Sequence, residues 1–508
     1  MDFGRVLRTV RWLRVEQLWF QVWRRLRRAR LRAVCAPPSV VDGRRMLVAP
    51  AMRWHSVSGE RFEFLNIADE FRGWSNRSHG MLWAYNQNYF DWLNQEGMSR
   101  EEGCRWIDRF IADLSDNVVG LAPYPTALRV INWIKFFSRY PEAESRERCD
   151  SLYSQLCLLS RRLERHLLGN HLLEDGYALY IGSLFFGDEK MHRGAWRLLR
   201  GQLREQVLGD GAHYEQSVMY HSILLDRLLD CVNISEGEER RELVAVAERM
   251  LGHLESIVWR SGRMPLVGDA AEGIAPTSEA IFAYARRLGL HWQALALGAC
   301  GYRKLESDGV EVLVDVGNIM ASYQPGHAHA DTLSVVAEVD SKPFLVDSGI
   351  TTYNKTARRQ WERSTPAHNT VSIGDGSSSE VWGGFRVGRR AQVTLHSDLP
   401  LSVDAAHDGY GKSRCHRRGV TLHGRTLTVS DSVAGGVEAV ARYYFSPDIA
   451  VVVEGYDAVR AGDAVARFIG AKKIEVSRCE VATQYNNPLS AQCVESTFID
   501  NLETIFEL

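Results

Sequence analysis

The sequence lacks the features that define several common protein classes. Its 508 residues contain no apolar run approaching the ~20 residues of a membrane span. They also show no leading core of ~7–15 apolar residues with a small-residue cleavage site, so we expect no secretory signal peptide. Nine cysteines are scattered without a CxxC pair, which argues against a disulfide framework and against a cysteine metal site. A formal net charge of −2 gives no general attraction to nucleic acid.

What is present is an ordinary globular composition. Apolar residues make up 45% and charged residues 24% of the chain, close to the usual values. Because 508 residues exceed what one core comfortably holds, we expect two or three domains. Fourteen Trp and eighteen Tyr residues are a generous supply of the side chains that often line sugar-binding clefts, although core packing accounts for them equally well.

The first 34 residues form a basic segment. Ten arginines fall within residues 1–32, against only Asp2 and Glu16 as acidic residues. Such a basic amphipathic helix could make peripheral contact with an anionic membrane, or pack against the protein with its arginines outward. With no signal peptide, we expect a cytoplasmic or membrane-peripheral location, with the periplasm left open. The apolar residues between the arginines recur at roughly helical spacing: Val6, Val10, Leu13, Leu18, Val22 and Leu26.

Hydrophobic periodicity divides the rest of the chain into two regions. From about 60 to 300, segments such as TALRVINWIKFFSRY repeat apolar residues at i, i+3, i+4 and i+7, which predicts an all-α domain. From near 310, short segments rich in β-branched residues, such as VEVLVDVG, are typical of an antiparallel β-sandwich. We predict an N-terminal helix and linker over 1–45, a helical domain over 46–305 and a β-sandwich over 306–508. CAPPSVVDG at 35–43 is the predicted linker.

Two polar clusters interrupt the helical region. In LLGNHLLEDGYAL, His171 and Glu174 are three residues apart and share a helix face beside Asn170. The second cluster is DGAHYEQSVMYH, which lies where a helix opens. Either cluster alone is more often structural than catalytic. The polar side chains crowded into the second are Tyr214, Glu215, Gln216, Ser217, Tyr220 and His221.

A third polar cluster, GHAHAD at 326–331, stands directly before the apolar run TLSVVAEVD. In an extended chain the side-chain period is two, so His327, His329 and Asp331 would point to the same side. A functional site and an exposed edge with incidental histidines explain this segment equally well when it is considered alone. Asp347 in LVDSG and His368 in STPAHNTV follow it.

Taken together, these motifs resemble those of the heparinase II/III-like polysaccharide lyase family. The resemblance begins near WAYNQNYFDWL at 83–93 and continues into the β-sandwich. It implies an N-terminal incomplete α/α toroid followed by a C-terminal antiparallel β-sandwich, in agreement with the periodicity. It also implies cleavage of a uronic-acid polysaccharide by β-elimination. The motifs that carry it are, in order, PYPTALRVINW, GNHLLEDG, DGAHYEQSVMYH, MPLVGD, GHAHADTLSV, LVDSG and ERSTPAHNTV.

β-Elimination sets three chemical requirements. The uronate carboxylate must be neutralised so that charge can spread into an enolate-like intermediate. A base must remove the weakly acidic proton on carbon 5, and an acid must protonate the oxygen leaving carbon 4. The resemblance implies that Asn170 and His171 neutralise the carboxylate, with Glu174 supporting His171. It also implies that Tyr220 is the acid, in some members also the base, and that His327 is the partner base.

Further residues could support the site or bind the substrate. Arg363 and Arg129 could supply positive charge, although long cations also coat surfaces. Tyr214, Glu215 and Asn369 lie within or beside the same motifs and are candidates for supporting or substrate-binding roles. The implied partner is an anionic, uronic-acid-containing polysaccharide or oligosaccharide.

The resemblance also implies a structural divalent metal. His329 matches a metal ligand of some family members, with Asp347 and His368 as the other protein ligands. Two histidines and a carboxylate suit zinc, with water in the fourth position. The metal would hold strand and loop in register. It would not activate water, because elimination needs no hydrolytic nucleophile. A hydrogen-bonded His–Asp cluster without metal is the alternative.

Two other functions stay open at this point. Glycoside hydrolases also use α/α toroids, and they need a carboxylate pair about 5–5.5 Å apart or further apart. The available carboxylates are Asp175, Asp210, Glu215 and Asp269. Alternatively, the chain is a non-catalytic polysaccharide-binding or assembly protein. Its basic N-terminus would suit a place beside a bacterial capsule, exopolysaccharide or O-antigen assembly system.

Overall fold

The computed structural model describes residues 3–26, 44–47, 49 and 56–508. Helices dominate up to residue 287 and strands dominate from residue 302. The α-helices are α1 (Phe3–Val10), α2 (Val15–Leu26), α3 (Met81–Tyr89), α4 (Arg100–Asp113), α5 (Pro123–Arg139), α6 (Arg146–Ser160), α7 (Gly169–Phe186), α8 (Glu189–Gln206), α9 (Val218–Ile234), α10 (Gly237–Ile257), α11 (Ser278–Arg287) and α12 (Ala357–Glu362).

Two kinds of helix build the helical region. α7 and α9 are buried on nearly every side, because apolar residues occupy all their faces. α8 buries a single stripe that includes Ala195, Leu199 and Leu203, and its charged residues face outward. α7 packs against α5, α8 and α9, while α10 packs against α9. Inner helices covered by outer helices are the arrangement of an α/α toroid, so this part of the predicted fold is confirmed.

Several of the tryptophan side chains lie in this helical core. Trp83, Trp92, Trp106 and Trp133 are fully buried. Trp92 and Trp106 meet edge to face with ring centroids 5.8 Å apart, a favoured geometry for aromatic pairs. These four rings therefore stabilise the core and do not line a cleft.

The strands begin with a small sheet on the helical region and continue through the C-terminal part of the chain. They are β1 (Ser56–Ser58), β2 (Arg61–Phe64), β3 (Ile67–Glu70), β4 (Tyr302–Ser307), β5 (Val310–Asp315), β6 (Val335–Val339), β7 (Lys342–Leu345), β8 (Val371–Ile373), β9 (Val381–Trp382), β10 (Arg386–Val387), β11 (Val393–Leu399), β12 (Ser402–His407), β13 (His416–His423), β14 (Thr426–Val433), β15 (Glu438–Tyr444), β16 (Val451–Glu454), β17 (Ala458–Ala461), β18 (Ala464–Gln484) and β19 (Asn487–Glu507).

Two antiparallel sheets form the C-terminal sandwich. One contains β4-β5-β6-β7, and the other has the order β11-β12-β13-β14-β19-β18-β17-β16, with β15 joining β19 to β8. Alternate residues of β13 are buried, as the two-residue period of a half-covered strand requires. Val312 and Val314 of the first sheet share one apolar core with Val420 and Val429 of the second. The predicted β-sandwich is therefore confirmed.

The two regions pack directly on each other. Tyr302, Leu313 and Val336 of the first sheet belong to the apolar core of the helical region. The change from helix to strand falls between Arg287, where α11 ends, and Tyr302, where β4 begins. The predicted domain limits of 1–45, 46–305 and 306–508 stay a prediction.

The N-terminal basic segment contains two helices where the sequence suggested one. A turn over residues 11–14 separates α1 from α2. The side-chain Oε1 of Gln17 accepts a hydrogen bond from the backbone N of Arg14 (2.9 Å) and so fixes the start of α2. Residues 27–43, which include the predicted linker, lie outside the described residues. Within the described part of the chain, no helix is both long and apolar enough to cross a membrane.

Candidate active site

A cavity of about 850 Å³ lies where the helical region, the loops of the β-sandwich and the N-terminal helices meet. Its wall includes Asn170 and His171 of α7, Tyr220 of α9 and His327 from the loop before β6. These four candidates come from three separate motifs, and the fold brings them to one cavity. Its volume lies within the range of ligand-binding pockets.

Glu215 connects two of these residues. Its carboxylate accepts hydrogen bonds from the side-chain Nδ2 of Asn170 (3.0 and 3.2 Å) and from the backbone N of Asn170 (2.7 Å). Its Oε2 also lies 2.6 Å from Nδ1 of His327. Burial raises the pKa of Glu215, but His327 and the hydrogen-bond donors outweigh burial and bring the pKa to about 2. Glu215 is therefore ionised and holds Asn170 and His327 in a fixed relation.

Tyr220 and His327 stack face to face. Their ring centroids are 3.7 Å apart and their planes differ by 17°. The Tyr220 hydroxyl lies 3.3 Å from that of Tyr353, and burial raises the pKa of Tyr220 above its usual value. A carboxylate beside Nδ1 of His327 favours the tautomer that keeps a lone pair on Nε2. The stacked pair thus combines a protonated phenol with an imidazole that can accept a proton.

His171 is paired with a carboxylate that the sequence analysis did not select. Its Nδ1 lies 2.8 Å from Oε2 of Glu164, and its ring packs against Tyr124 at 4.7 Å. Burial lowers the pKa of His171, but Glu164 outweighs burial, so the pKa is raised overall. The prediction gave the supporting role to Glu174. That residue is instead fully buried, with Oε2 3.8 Å from Nε of Arg227.

A reversal of the chain before α7 explains the contact with Glu164. Leu168 (φ 62°) and Gly169 (φ 61°) both adopt left-handed backbone conformations, which turn the chain back toward residue 164. A Cβ on Gly169 would lie 2.5 Å from Oε1 of Glu215. Glycine is therefore required here both for its backbone angle and for the close approach of the carboxylate.

The GHAHAD segment is irregular and not extended. Turns occupy residues 326–327 and 332–333, a bend falls at residue 330, and β6 begins only at Val335. As a result His327 and His329 do not share one face, which corrects the prediction. His327 borders the cavity, whereas His329 is buried with Nε2 2.8 Å from Oδ1 of Asp269. Arg359 binds both oxygens of Asp269, at 2.5 and 2.7 Å.

Two residues of this loop, His329 and Asp331, form with His368 a group that could hold a metal ion. Potential ligand atoms of His329, Asp331 and His368 lie within 4.8 Å of one another. Nδ1 of His329 and Nε2 of His368 are buried, and neither has a hydrogen-bond partner among the described residues, which fits a metal between them. The predicted ligand Asp347 instead contacts Nδ1 of His368 at 2.7 Å, where a carboxylate orients a ligating histidine. Asp331 thus replaces Asp347 in the candidate ligand set.

The two arginines proposed as substrate contacts do not border the cavity. Arg129 is fully buried, donates to Oε1 of Gln155 at 2.7 Å and to backbone carbonyl oxygens, and burial lowers its pKa to about 9. Arg363 donates through Nε and Nη2 to the carbonyl oxygen of Ala328 (3.2 and 2.8 Å). It therefore braces the loop between the two histidines. Sequence alone could not show that both guanidinium groups face inward.

Asn369 and Tyr214 also have structural positions. The amide Nδ2 of Asn369 donates to the carbonyl oxygens of Val335 and Val346 at 2.8 Å each, which fastens two segments of the first sheet. The buried Tyr214 hydroxyl lies 2.8 Å from that of Tyr323. Neither residue borders the large cavity, so their positions favour a structural role over a direct substrate contact.

Sequence reasoning missed several neighbours of the candidate residues. Tyr124 lies inside the motif PYPT, and Asp269 inside MPLVGD was considered only as a carboxylate for a hydrolase, so both carried an available signal. Arg359 and Tyr353 fall between the motifs and carried no such signal. Glu164 is seven residues before His171, and their side chains meet only because the left-handed residues between them reverse the chain.

Comparisons with known proteins agree with this architecture. Residues 159–272 match the family described as heparinase II/III N-terminus, and residues 291–495 match heparinase II/III-like, C-terminal. The heparin-sulfate lyase of Pedobacter heparinus is 25% identical over 331 residues, which cover 57% of this chain and 47% of the relative. The chain thus spans about half the length of that relative.

Solved structures show the same fold. The crystal structure of heparinase III has a TM-score of 0.63 at 13% identity and covers 84% of this chain and 76% of its own. A heparan sulfate lyase mutant from Pedobacter heparinus has a TM-score of 0.60 at 16% identity, over 84% and 75% of the two chains. The two family matches together span more than half of the sequence, and the chain belongs to the heparinase II/III-like family.

Proposed function

We propose that the chain is a polysaccharide lyase that cleaves a uronic-acid-containing polysaccharide by β-elimination. The observation that carries the proposal is the shared cavity wall of Asn170, His171, Tyr220 and His327, with Tyr220 stacked on His327. The name of the matched relative, heparin-sulfate lyase, fits the same class of reaction.

Neutralisation of the substrate carboxylate falls to α7. Glu164 raises the pKa of His171 and holds its Nδ1. Nε2 of a protonated His171 can then donate to the uronate carboxylate. The side-chain amide of Asn170 supplies a second donor, positioned by Glu215. Two donors near the carboxylate stabilise the negative charge that develops when the carbon 5 proton is removed.

Proton transfer falls to the stacked pair. Nε2 of His327 takes the carbon 5 proton, and the released electron pair forms the double bond between carbons 4 and 5. The bond from carbon 4 to the glycosidic oxygen breaks, and the phenol of Tyr220 protonates that oxygen. The raised pKa of Tyr220 suits an acid that must hold its proton until the leaving group needs it. Return of the proton from His327 to Tyr220 through solvent restores the site.

A structural zinc ion at His329, Asp331 and His368 is part of the proposal. Two histidines and a carboxylate are a usual zinc ligand set, and an ion there would stiffen the loop that carries His327. Elemental mass spectrometry of the purified protein tests it: one zinc per chain is expected, and loss of zinc in His368→Ala. A wild-type protein free of divalent metal would contradict this part while leaving the lyase activity open.

A glycoside hydrolase is less well supported by the geometry. Of its candidate carboxylates Asp175, Asp210, Glu215 and Asp269, none borders the large cavity. Asp175 accepts a hydrogen bond from the backbone N of Glu164 at 2.6 Å. Asp210 accepts a hydrogen bond from the backbone N of Cys300. Glu215 lies beside His327, and Asp269 lies beside His329.

We also propose that the protein works at a membrane surface, beside the assembly of a bacterial exopolysaccharide or O-antigen. Large apolar side chains of α1 and α2 are exposed beside arginines, among them Phe3 (74%), Val15 (82%), Trp19 (62%) and Leu26 (78%), as in helices that lie on anionic lipid. Flotation with vesicles containing phosphatidylglycerol tests this. Binding should weaken in Trp19→Ser and in vesicles of phosphatidylcholine alone. Wild-type protein that does not float would contradict the membrane contact.

The activity is tested by ultraviolet absorbance of the unsaturated uronate during incubation with a panel of uronic-acid polysaccharides. Wild type should produce a rise, while Tyr220→Phe and His327→Ala should lose it by roughly 10²–10⁴-fold, the usual contribution of general acid–base catalysis. New reducing ends without the absorbance would favour the hydrolase. No cleavage of any polymer would favour a binding or assembly protein.

A further inference from the structure

The N-terminal segment (residues 3–26) is fastened to the β-sandwich on one side of the cavity. Arg8 pairs with both carboxylate oxygens of Glu380, at 2.8 and 2.9 Å. Nε1 of Trp12 donates to the carbonyl oxygen of Gly388 at 3.2 Å. The hydrogen bond from Arg8 lowers the pKa of Glu380 to about 2. These contacts hold α1 and the following turn on the strands β9 and β10 and their connections.

The same segment is fastened to the helical region on the other side. Gln17 is buried, and its Nε2 donates to the carbonyl oxygens of Leu167 and Tyr323 at 3.1 Å each. Arg165 pairs with Glu16 at 2.8 Å. The segment therefore bridges the two halves of the molecule across the cavity.

Between these anchors the segment forms part of the cavity wall. Val6, Val10, Leu13 and Gln21 line the same space as the four candidate catalytic residues. A polysaccharide chain that ran straight through the cleft would meet α1 and α2 on this side. A volume of about 850 Å³ suits a short stretch of sugar units.

Arg390 borders the cavity next to this segment and has unused donors. Its guanidinium lies 4.3 Å from the ring centroid of Trp12, and its Nη2 donates to the carbonyl oxygen of Ser322 at 2.6 Å. The side chain is 6% exposed, and its Nε and Nη1 have no hydrogen-bond partner among the described residues. A buried guanidinium with two unpaired N–H groups is costly unless an anion meets it.

The other arginines on the cavity wall differ from Arg390. Arg227 is already paired with Asp226 at 2.9 Å. Arg386 is exposed, with its guanidinium 4.8 Å from the ring centroid of Trp382. Among the described wall residues, this small number of available cations suits a chain bearing one carboxylate per uronate more than a densely sulfated chain.

We propose that Arg390 and the N-terminal segment form a subsite for the carboxylate of a terminal uronate, so that the substrate is held by its chain end and shortened from there. Shortening of the chain from its end rests on the lyase function proposed above. Binding of the terminal carboxylate by Arg390 does not depend on it. Arg390 supplies the N–H donors, and the segment blocks further extension of the chain.

Binding is measured first, by calorimetry on the full-length Tyr220→Phe protein with tetrasaccharides prepared from heparosan and from alginate. Adding Arg390→Gln should weaken binding roughly ten- to hundredfold, the loss of hydrogen bonds to a charged group. Arg386→Gln is the matched control, an arginine on the same wall, and should change affinity by less than about threefold. Equal affinity with and without Arg390, or no binding of either tetrasaccharide, would overturn the subsite.

The mode of cleavage is measured by the size of unsaturated products over time. Wild type should release small products from the first turnovers while the polymer shortens slowly. Arg8→Gln removes the two short contacts of α1 with Glu380 and leaves the longer one from Arg5 at 3.3 Å. It should therefore loosen α1 and yield longer products, whereas Arg25→Gln on an exposed part of α2 should not. Long products from wild type would overturn cleavage from chain ends. If no polymer is cleaved but Arg390→Gln still weakens tetrasaccharide binding, the subsite stands and the lyase function falls.

Discussion

Glu215 is the residue on which the geometry of the site depends most, because one buried carboxylate positions both Asn170 and His327. We expect Glu215→Gln to lower kcat by about 10- to 100-fold, as loss of a carboxylate that orients a functional histidine does. The amide keeps the shape of the side chain but no longer favours the His327 tautomer with a free Nε2. The measurement is kcat and KM from initial rates of unsaturated-product formation.

Glu338→Gln is the matched control for that substitution. Like Glu215, Glu338 is buried, but its partner is Arg263 at 2.8 Å, which does not border the cavity. It should lose stability without a comparable fall in kcat. Equal effects of the two substitutions would mean that Glu215 acts on stability alone.

Glu164 sets the charge of His171. Because Glu164 raises the pKa of His171, the imidazolium persists to higher pH than it would alone. We expect Glu164→Gln to move the alkaline limb of the kcat/KM profile to lower pH, since His171 then loses its proton earlier. Glu144→Gln removes a carboxylate paired with Arg45 and should leave the profile in place. An unmoved alkaline limb in Glu164→Gln would exclude a charged His171 from the free enzyme.

The sequence pointed to the candidate catalytic residues better than it pointed to the side chains that position them. The family resemblance carried by the motifs pointed to Asn170, His171, Tyr220 and His327, which meet at one cavity. It could not reveal Glu164, because that contact depends on two consecutive left-handed residues, one of them the non-glycine Leu168. Conformations of this kind cost about 1–2 kcal/mol and are stabilised by surroundings far away in sequence.

Helix α7 depends on its first residue in a way that separates stability from activity. Gly169 and Gly187 flank the same helix with φ of 61° and 64°. An added Cβ would lie 2.5 Å from Glu215 at the first position and would meet nothing within 4 Å at the second. We expect both Ala substitutions to cost about 1–2 kcal/mol of unfolding free energy from backbone strain. Only Gly169→Ala should also lose activity.

Denaturant unfolding and initial rates on the two variants check this expectation. Gly187→Ala controls for strain at a helix end, because it lacks the clash with the carboxylate. Retention of full activity by Gly169→Ala would show that the contact between α7 and Glu215 does not govern the reaction.

Elements with strong periodicity were predicted, and those whose shape depends on tertiary contacts were not. The alternation in β13 and the apolar faces of α7 are properties of the local sequence. GHAHAD also alternates, yet it forms turns because Asp269 and Arg363 bind its side chains and backbone. The predicted single N-terminal helix divides at residues 11–14 for a similar reason, since Gln17 and Trp12 bond to separate parts of the molecule.

For the whole molecule, the order of helical and β regions could be read from the sequence, but their mutual packing could not. The cavity exists because loops from both regions and the N-terminal segment converge on it. Such contacts join residues hundreds of positions apart, such as Arg8 and Glu380. No local pattern encodes them.

The ion pair between Asp269 and Arg359 joins the helical region to the β region. Asp269 follows α10, Arg359 lies on α12, and both are fully buried. Burial raises the pKa of Asp269, but Arg359 and His329 outweigh it and hold that pKa well below its usual range. We expect Arg359→Met to cost about 3–5 kcal/mol of unfolding free energy at neutral pH, because it leaves a buried carboxylate without its counter-charge.

The pH dependence of that loss follows from the direction of the shift. Since the folded pKa of Asp269 is depressed, its contribution to stability is present above the unfolded value, about 4, and is lost as pH falls toward the folded value. The deficit of Arg359→Met should therefore be largest at neutral pH and shrink below about pH 4, where a protonated Asp269 needs no partner. Urea unfolding across this range measures it.

Arg460→Met, which removes an exposed pair with Glu454, should cost less than about 1 kcal/mol at any pH. A deficit in Arg359→Met that is small, or independent of pH, would show that the two regions are held together without this charge pair.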